Sequence, residues 1–209
     1  MARGFFITFE GGEGAGKSTQ LSRLADRLEA AGRDVVRTRE PGGSPGAEAI
    51  RSLLVTGEAD RWSPITETLL MYAARRDHIE RVIAPALARG AVVLCDRFAD
   101  STSAYQGAGG GAPSSLISAL EAEVLGDLRP DLTLILDLPT ASGLARAAGR
   151  GGGEVRFESK GLAFHERLRA GFLAIARADP DRCRIIDAAS DEAVVGASVW
   201  AEVKALITR

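Results

Sequence analysis

The chain has 209 residues, a formal net charge of −2 and 45% hydrophobic residues, with a mean hydropathy near zero. That length buries a full core within one globular domain, and the near-balanced charge excludes a nucleic-acid binder driven by basic excess. No apolar run reaches the roughly 18–20 residues a bilayer-spanning helix needs, which excludes a membrane span of that kind.

The opening "MARGFFITF" runs directly into a strand-like segment, without the apolar core and small-residue cleavage site of a secretory signal, so a cytoplasmic chain is expected. The first strand is expected at Phe5–Phe9, and the glycine-rich "EGGEGAGKST" follows it. Leu21, Leu24, Ala25 and Leu28 then repeat at helical spacing, and Gly32 sits where a helix C-terminal glycine belongs. A second strand is expected at Asp34–Thr38. Ser63-Pro64 reads as an N-cap with proline at the first helical position, opening a helical region to about Arg89 that Pro85 should kink or break. Strands at Ala91–Cys95, Leu132–Asp137 and Arg184–Ile186 alternate with helices expected at 113–126, 140–148, 158–178 and 190–207. The two cysteines, Cys95 and Cys183, lie inside apolar strands without metal-binding spacing and read as buried thiols in a reducing compartment.

Strands that alternate with helices predict an α/β fold with a parallel sheet buried on both faces. "AVVLC" and "LTLIL", continuous rather than alternating, suit that burial. With Gly11-x4-Gly16-Lys17-Ser18 between the first strand and the first helix, the expectation is a three-layer P-loop NTPase fold: five parallel strands flanked by helices, one domain over 1–209, and a flexible lid at about 143–157. The glycine-rich patches at 107–111 and 149–153 read as mobile loops.

Gly11-x4-Gly16-Lys17-Ser18 stands after a strand and before a helix, as a phosphate-binding loop must. Gly11, Gly14, Ala15 and Gly16 let backbone N–H groups turn inward on an anion at a helix N-terminus, with Lys17 and the Ser18 and Thr19 hydroxyls at its end. Such a loop binds a nucleotide without specifying the reaction. The chain contains no asparagine, so the Asn-Lys-x-Asp element of guanine-reading switches is absent. The apolar run at 91–95 ends in Asp96-Arg97 rather than the Asp-Glu of motor ATPases. Phosphoryl transfer also needs cations converging on a second anion. Arg39 and Arg97 follow strands that would end at the same sheet edge, and Arg51, Arg75, Arg146, Arg150 and Arg156 are further candidates. Arg75 and Arg76 are adjacent and cannot both face one site from a helix.

"FEGGEGAGKSTQ", "TREPGG", "LLMYAARRDHIERVIAPAL", "CDRFADSTSAYQG", "LILDLP" and "RGGGEVRFES" occur here in the order found in bacterial thymidylate kinases, and the chain resembles that family over almost its whole length. The resemblance implies transfer of the γ-phosphoryl of ATP, with Mg²⁺, to dTMP; a kinase of another deoxynucleotide or nucleoside on the same fold is the alternative, and a non-catalytic nucleotide-binding module a more distant one. It implies that Lys17 and Ser18 hold ATP–Mg²⁺, that Glu13 lies near acceptor phosphate, sugar and metal, and that Glu158 is a further metal-side oxygen. Arg97, with Asp96 beside it, would hold the acceptor phosphate, and Arg75 would bond thymine O4. Ser101, Thr102, Gln106, Arg39, Pro41 and Arg51 line the same pocket by resemblance, and the Tyr105 ring crowds the sugar 2′ position. Met71 stands where many relatives carry a stacking phenylalanine, and Gly110 where an arginine is common. The P-loop lacks the arginine that one branch places there, so the lid arginines Arg146, Arg150 and Arg156 are the expected catalytic cations. The family also implies a homodimer.

Overall fold

The structure, a computed structural model, describes residues 3–58, 60–149 and 155–208, with the side chains of Val155 and Glu158 set aside. β1 (Phe6–Glu10) is followed by α1 (Lys17–Ala30), β2 (Val35–Arg39), α2 (Pro45–Val55), α3 (Pro64–His78) and α4 (Ala84–Ala88). β3 (Val92–Asp96), α5 (Ala99–Thr102), α6 (Ser114–Leu125), β4 (Leu132–Asp137), α7 (Thr140–Ala148), α8 (Val155–Glu158), α9 (Leu162–Ala178), β5 (Cys183–Asp187) and α10 (Glu192–Ile207) complete the order. The five strands form one all-parallel sheet in the order β2-β3-β1-β4-β5.

Every residue of β1 is buried. Ile7 and Phe9 meet Leu21, Leu24 and Leu28 of α1 and Val195, Val199 and Val203 of α10 on one face. Phe6, with Val93 and Cys95, meets Tyr72, Ile79, Ile83 and Leu87 on the other. Successive strand residues point to opposite faces, so a strand covered on both sides reads as a continuous apolar run.

The local signals explain most element ends. α1 stops in a Schellman turn: Gly32 takes φ 77°, and Arg33 N–H donates to Leu28 O at 3.1 Å. Ser63 caps α3 by accepting from Thr66 N, and Pro64 opens the helix. Pro85 lacks the N–H that the preceding turn requires. The chain widens there into a π-helical turn over Ile79–Ile83, with Ala84 N–H donating to Ile79 O, and continues as α4 instead of kinking sharply.

Three regions differ from expectation. α2 went unread, and the glycine-rich segment at 107–111 is helical through Gly109: Ser103–Gly109 is a π-helical turn that prolongs α5. α9 packs tightly along this turn, and a Cβ on Gly109 would lie 2.7 Å from the Phe164 ring. Here glycine serves close packing rather than mobility. The helix expected at 158–178 begins later, as α9 at Leu162 with Gly161 as its N-cap, and α8 precedes it as a separate turn.

Sheet order reverses about β1, so the crevice beyond the C-terminal ends of β1 and β3 is where an open α/β sheet binds ligands. The register puts Arg39 beside Asp96 and Asp96 beside Phe9, so the ends of β2, β3 and β1 share that edge.

Candidate active site

The loop after β1 turns sharply because Gly11, Gly14 and Gly16 adopt φ values of 130°, 70° and 86°, which L side chains rarely reach. Gly14 also meets the base of the expected lid. A Cβ there would lie 2.0 Å from the carbonyl oxygen of Gly143 in α7, so the loop and α7 touch backbone to backbone. Lys17 opens α1, and its ammonium is buried, donating to Gly12 O at 2.8 Å and Gly11 O at 3.1 Å. Burial, joined by the nearby Arg97 cation, pushes the Lys17 ammonium down to about 8. An arriving phosphate chain would reverse that shift, so the loop is poised for an anion. Ser18 Oγ donates to Asp96 Oδ2 at 2.5 Å, bringing a hydroxyl and a carboxylate together at the mouth of the loop.

Arg97 stands at the next strand end, with φ 69°, the one positive value at a non-glycine among the described residues. This costly conformation at a sheet edge is held from several sides. Arg97 N–H donates to Phe9 O at 2.9 Å, while the guanidinium reaches Gly11 O at 3.0 Å and both Glu13 oxygens at 3.1 and 3.2 Å. Glu10 fixes the same turn from below, accepting from Phe98 N at 2.7 Å and Ser101 Oγ at 2.5 Å. Glu13 also accepts from the Tyr105 hydroxyl at 2.6 Å. Burial alone would raise the Glu13 carboxyl, but Arg97, Lys17 and the Tyr105 hydroxyl overcome it and hold it at about 2. The Tyr105 ring is locked edge-on between Phe157, Phe164 and Phe172.

From Arg97 a cleft of about 560 Å³, counting its open mouth, runs toward α3. It brings together Glu13, Pro41, Met71, Arg75, Arg97, Ser101, Thr102, Tyr105 and Gln106, nine of the expected residues. Pro41 follows a cis peptide bond. Arg75 is 2% exposed and committed on two nitrogens: Nε to Glu40 at 2.7 Å, and Nη2 to Phe98 O and Thr102 Oγ1, each at 3.0 Å. Its Nη1 is buried without a partner. Arg76 faces the opposite way, exposed and paired with Glu80.

Other expected residues lie around this core. Arg39 is exposed and paired with Glu48, and half-buried Arg51 donates to Pro41 O. Neither lines the cleft wall itself. Arg146 lies in a second groove, donating to Ala188 O at 3.1 Å. This groove runs past Gly14, Ala15, Gly16 and Thr19 to the turn at 188–192. Arg156 is buried against α2 and α3, paired with Glu67 at 2.5 Å and donating to Leu54 O at 3.0 Å and Glu58 O at 3.1 Å. Arg150 and the side chain of Glu158 lie outside the described residues.

Sequence reasoning missed Glu40, Val55, Phe98 and Phe157 in the cleft wall, Glu67 behind it, and the 188–192 turn. Glu40 sits inside the quoted "TREPGG", and Phe98 follows Asp96-Arg97 directly, so their motifs were visible while their roles were not.

No helix among the described residues is long and apolar enough to cross a membrane. The thymidylate kinase family model matches residues 9–199. A thymidylate kinase of Caulobacter vibrioides is 75% identical over 95% of both chains, and that of Dinoroseobacter shibae is 56% identical over 96% of each. A crystal structure of thymidylate kinase from Ehrlichia chaffeensis superposes with a TM-score of 0.78 at 36% identity, covering 96% of this chain and 99% of that one. The parallel sheet with its phosphate loop is the P-loop NTPase fold. On a match that spans nearly all of its length, the chain belongs to the thymidylate kinase family.

Proposed function

We propose that this chain transfers the γ-phosphoryl group of ATP to dTMP, yielding ADP and dTDP. One observation carries the reading: a phosphate loop and a largely apolar cleft with a few polar groups meet at a single junction, where Lys17, Glu13 and Arg97 lie in contact or close range. That is the layout needed to hold two anions in line.

A phosphate oxygen of dTMP attacks the γ-phosphorus while the bond to the β-phosphate oxygen breaks, and ADP leaves. The acceptor is already anionic near neutral pH, since a phosphate monoester loses its second proton near 6, so no general base is required. Glu13, held at about 2, would be a poor one. Its work is to fix Arg97 and Tyr105 against the acceptor. Loop amides and Lys17 cradle the donor phosphates, Arg97 holds the acceptor phosphate, and Arg146, beside the second groove, attends the nucleotide's far side. We assign Arg39 and Arg51 to the rim, adding positive potential at the cleft mouth.

The donor set suits Mg²⁺. Ser18 Oγ and Asp96 Oδ2 are hard oxygens in contact, and no group of three or more metal-binding side chains occurs among the described residues. An ion that keeps mainly phosphate and water oxygens fits such a sparse site. Bound there, Mg²⁺ would neutralise charge across the phosphates. Glu13 is committed to Arg97 and Tyr105, so we assign the metal to Ser18 and Asp96.

We also infer a single domain with a lid at about 143–157, a cytoplasmic location and a homodimer. Ile65 and Leu69, one turn apart on α3, are 48% and 47% exposed, with Leu53 of α2 at 40%; such a stripe on a monomer suits a twin copy. Sedimentation of the purified protein at micromolar concentration checks the dimer.

An ADP-release assay across dTMP, dUMP, dCMP, dGMP and thymidine tests the main reading. dTMP should be the best acceptor. Activity on dCMP with none on dTMP would overturn it.

A further inference from the structure

Glu67 has no role in the scheme above, yet it is a buried carboxylate whose two partners come from distant segments. It is 4% exposed on α3. Its Oε1 accepts from Gln106 Nε2 at 2.8 Å, and its Oε2 pairs with Arg156 Nη1 at 2.5 Å. Gln106 is 1% exposed and lines the acceptor cleft. A carboxylate paired with a guanidinium offers only acceptors. The side of the Gln106 amide turned to Glu67 must therefore be its NH2, and the carbonyl must lie on the other side. Arg156, itself anchored on Leu54 O and Glu58 O, keeps the carboxylate from turning away.

We propose that Glu67 is a positioning residue for base selection, fixing Gln106 with its carbonyl toward the cleft. The pocket then offers a donor and an acceptor together: the unpartnered Nη1 of Arg75 and the carbonyl of Gln106. A pyrimidine with a C4 carbonyl and an N3–H presents the complementary pair. Cytosine presents an amino group and a bare N3, so donor meets donor and acceptor meets acceptor. The inference rests on the reading of dTMP as acceptor.

The test is Glu67→Gln, nearly isosteric. A glutamine at 67 can itself donate to the Gln106 carbonyl, so the orientation of Gln106 is no longer dictated. kcat/KM is measured for dTMP, dUMP and dCMP in wild type and variant. The dTMP:dCMP ratio should fall about tenfold, the scale of one hydrogen bond. The dTMP:dUMP ratio should stay unchanged, because uracil carries the same C4 carbonyl and N3–H. A purely structural role for Glu67 would depress all three substrates alike, and that result, or an unchanged dTMP:dCMP ratio, overturns the proposal. A wild type unable to phosphorylate dTMP would instead sink the functional reading. In the folded case, adding Glu67→Gln to Gln106→Leu should change the ratio no further than Gln106→Leu alone; an added fall rules out the route through Gln106. Should Glu67→Gln lack a cooperative thermal transition, Gln106→Leu tests the same amide. The selective loss of thymine preference is expected, and its absence overturns the proposal.

Discussion

The phosphate end of the cleft and its base end are built on opposite principles. The phosphate end comes from two short stretches, 10–18 and 96–97, and much of it is backbone: loop amides, carbonyls of Gly11 and Gly12, a strained Arg97. The base end is side chain against side chain, drawn from the end of β2, from α3 and from the α5 extension: Glu40, Glu67, Arg75, Thr102 and Gln106, all buried. An anion is recognised by charge and N–H groups and tolerates approximate placement. A base edge is recognised by donor and acceptor order, which requires each group to be held in one orientation. Lys17 at the phosphate end is accordingly kept at an energetic disadvantage by burial until a ligand arrives, while Arg97 beside it is already braced by Glu13. Arg75 is instead braced by a carboxylate, a carbonyl and a hydroxyl before any ligand arrives.

That contrast can be broken by substitution. Glu40→Ala should have the largest effect, and on stability. It removes the acceptor of Arg75 Nε at 2.7 Å and the partner of His78 Nδ1 at 3.0 Å. Breaking a buried pair from one side costs about 3–5 kcal/mol, which should lower Tm by about 10 °C in a chain of this size. Lys17→Ala should act on rate instead. Loss of a preorganised cation at a transferring group costs about 10²–10³ in kcat, read in a steady-state assay saturated with both nucleotides. Its Tm should stay level or rise, since a buried ammonium that burial disfavours has been removed. Equal losses of Tm in the two variants would erase the distinction between the ends.

The same contrast explains how far the sequence could be read. The phosphate end was legible because its chemistry is contiguous: "GGEGAGKS" carries its own mechanism, and Asp96-Arg97 closes an apolar strand. All five strands lie within a residue or two of expectation, most plainly β1, β3 and β4, whose burial on both faces leaves nearly unbroken apolar runs. That Arg75 and Arg76 could not both face the pocket followed from helical geometry, and the resemblance pointed to Arg75 as the one that does. Glu40 and Glu67, by contrast, resemble solvated surface acids in the sequence; only partners 35 and 39 residues away make them interior groups. α2 escaped although Ser44-Pro45 repeats the Ser63-Pro64 signature. Ser44 gives its hydroxyl to Asp77 at 2.6 Å rather than capping the helix. The segment at 103–109 misled for a related reason: glycine content favours a loop, but α9 packed against Gly109 outweighs local propensity.

A finer test lies within the phosphate end itself, where Glu13 is the one group that should support the fold as well as the chemistry. Its folded-state value of about 2 lies below the ordinary 4.5. A depressed carboxyl stabilises the folded state in full above 4.5, and the contribution drains away as pH falls from 4.5 toward 2. Glu13→Gln, which keeps the shape and loses the charge, should therefore be less stable than wild type at pH 7 by on the order of 1–3 kcal/mol. The gap should shrink between pH 4.5 and 3 in denaturant titrations. Glu10 should behave in the opposite sense. Burial, aided by Asp100, raises its carboxyl to about 8, so its contribution is complete below 4.5 and declines as pH rises toward 8. Glu10→Gln should remove that decline. The two glutamates stand three residues apart, Glu10 ending β1 and Glu13 in the loop after it, and a pH dependence of the same sign in both variants would mean that Arg97 does not govern Glu13.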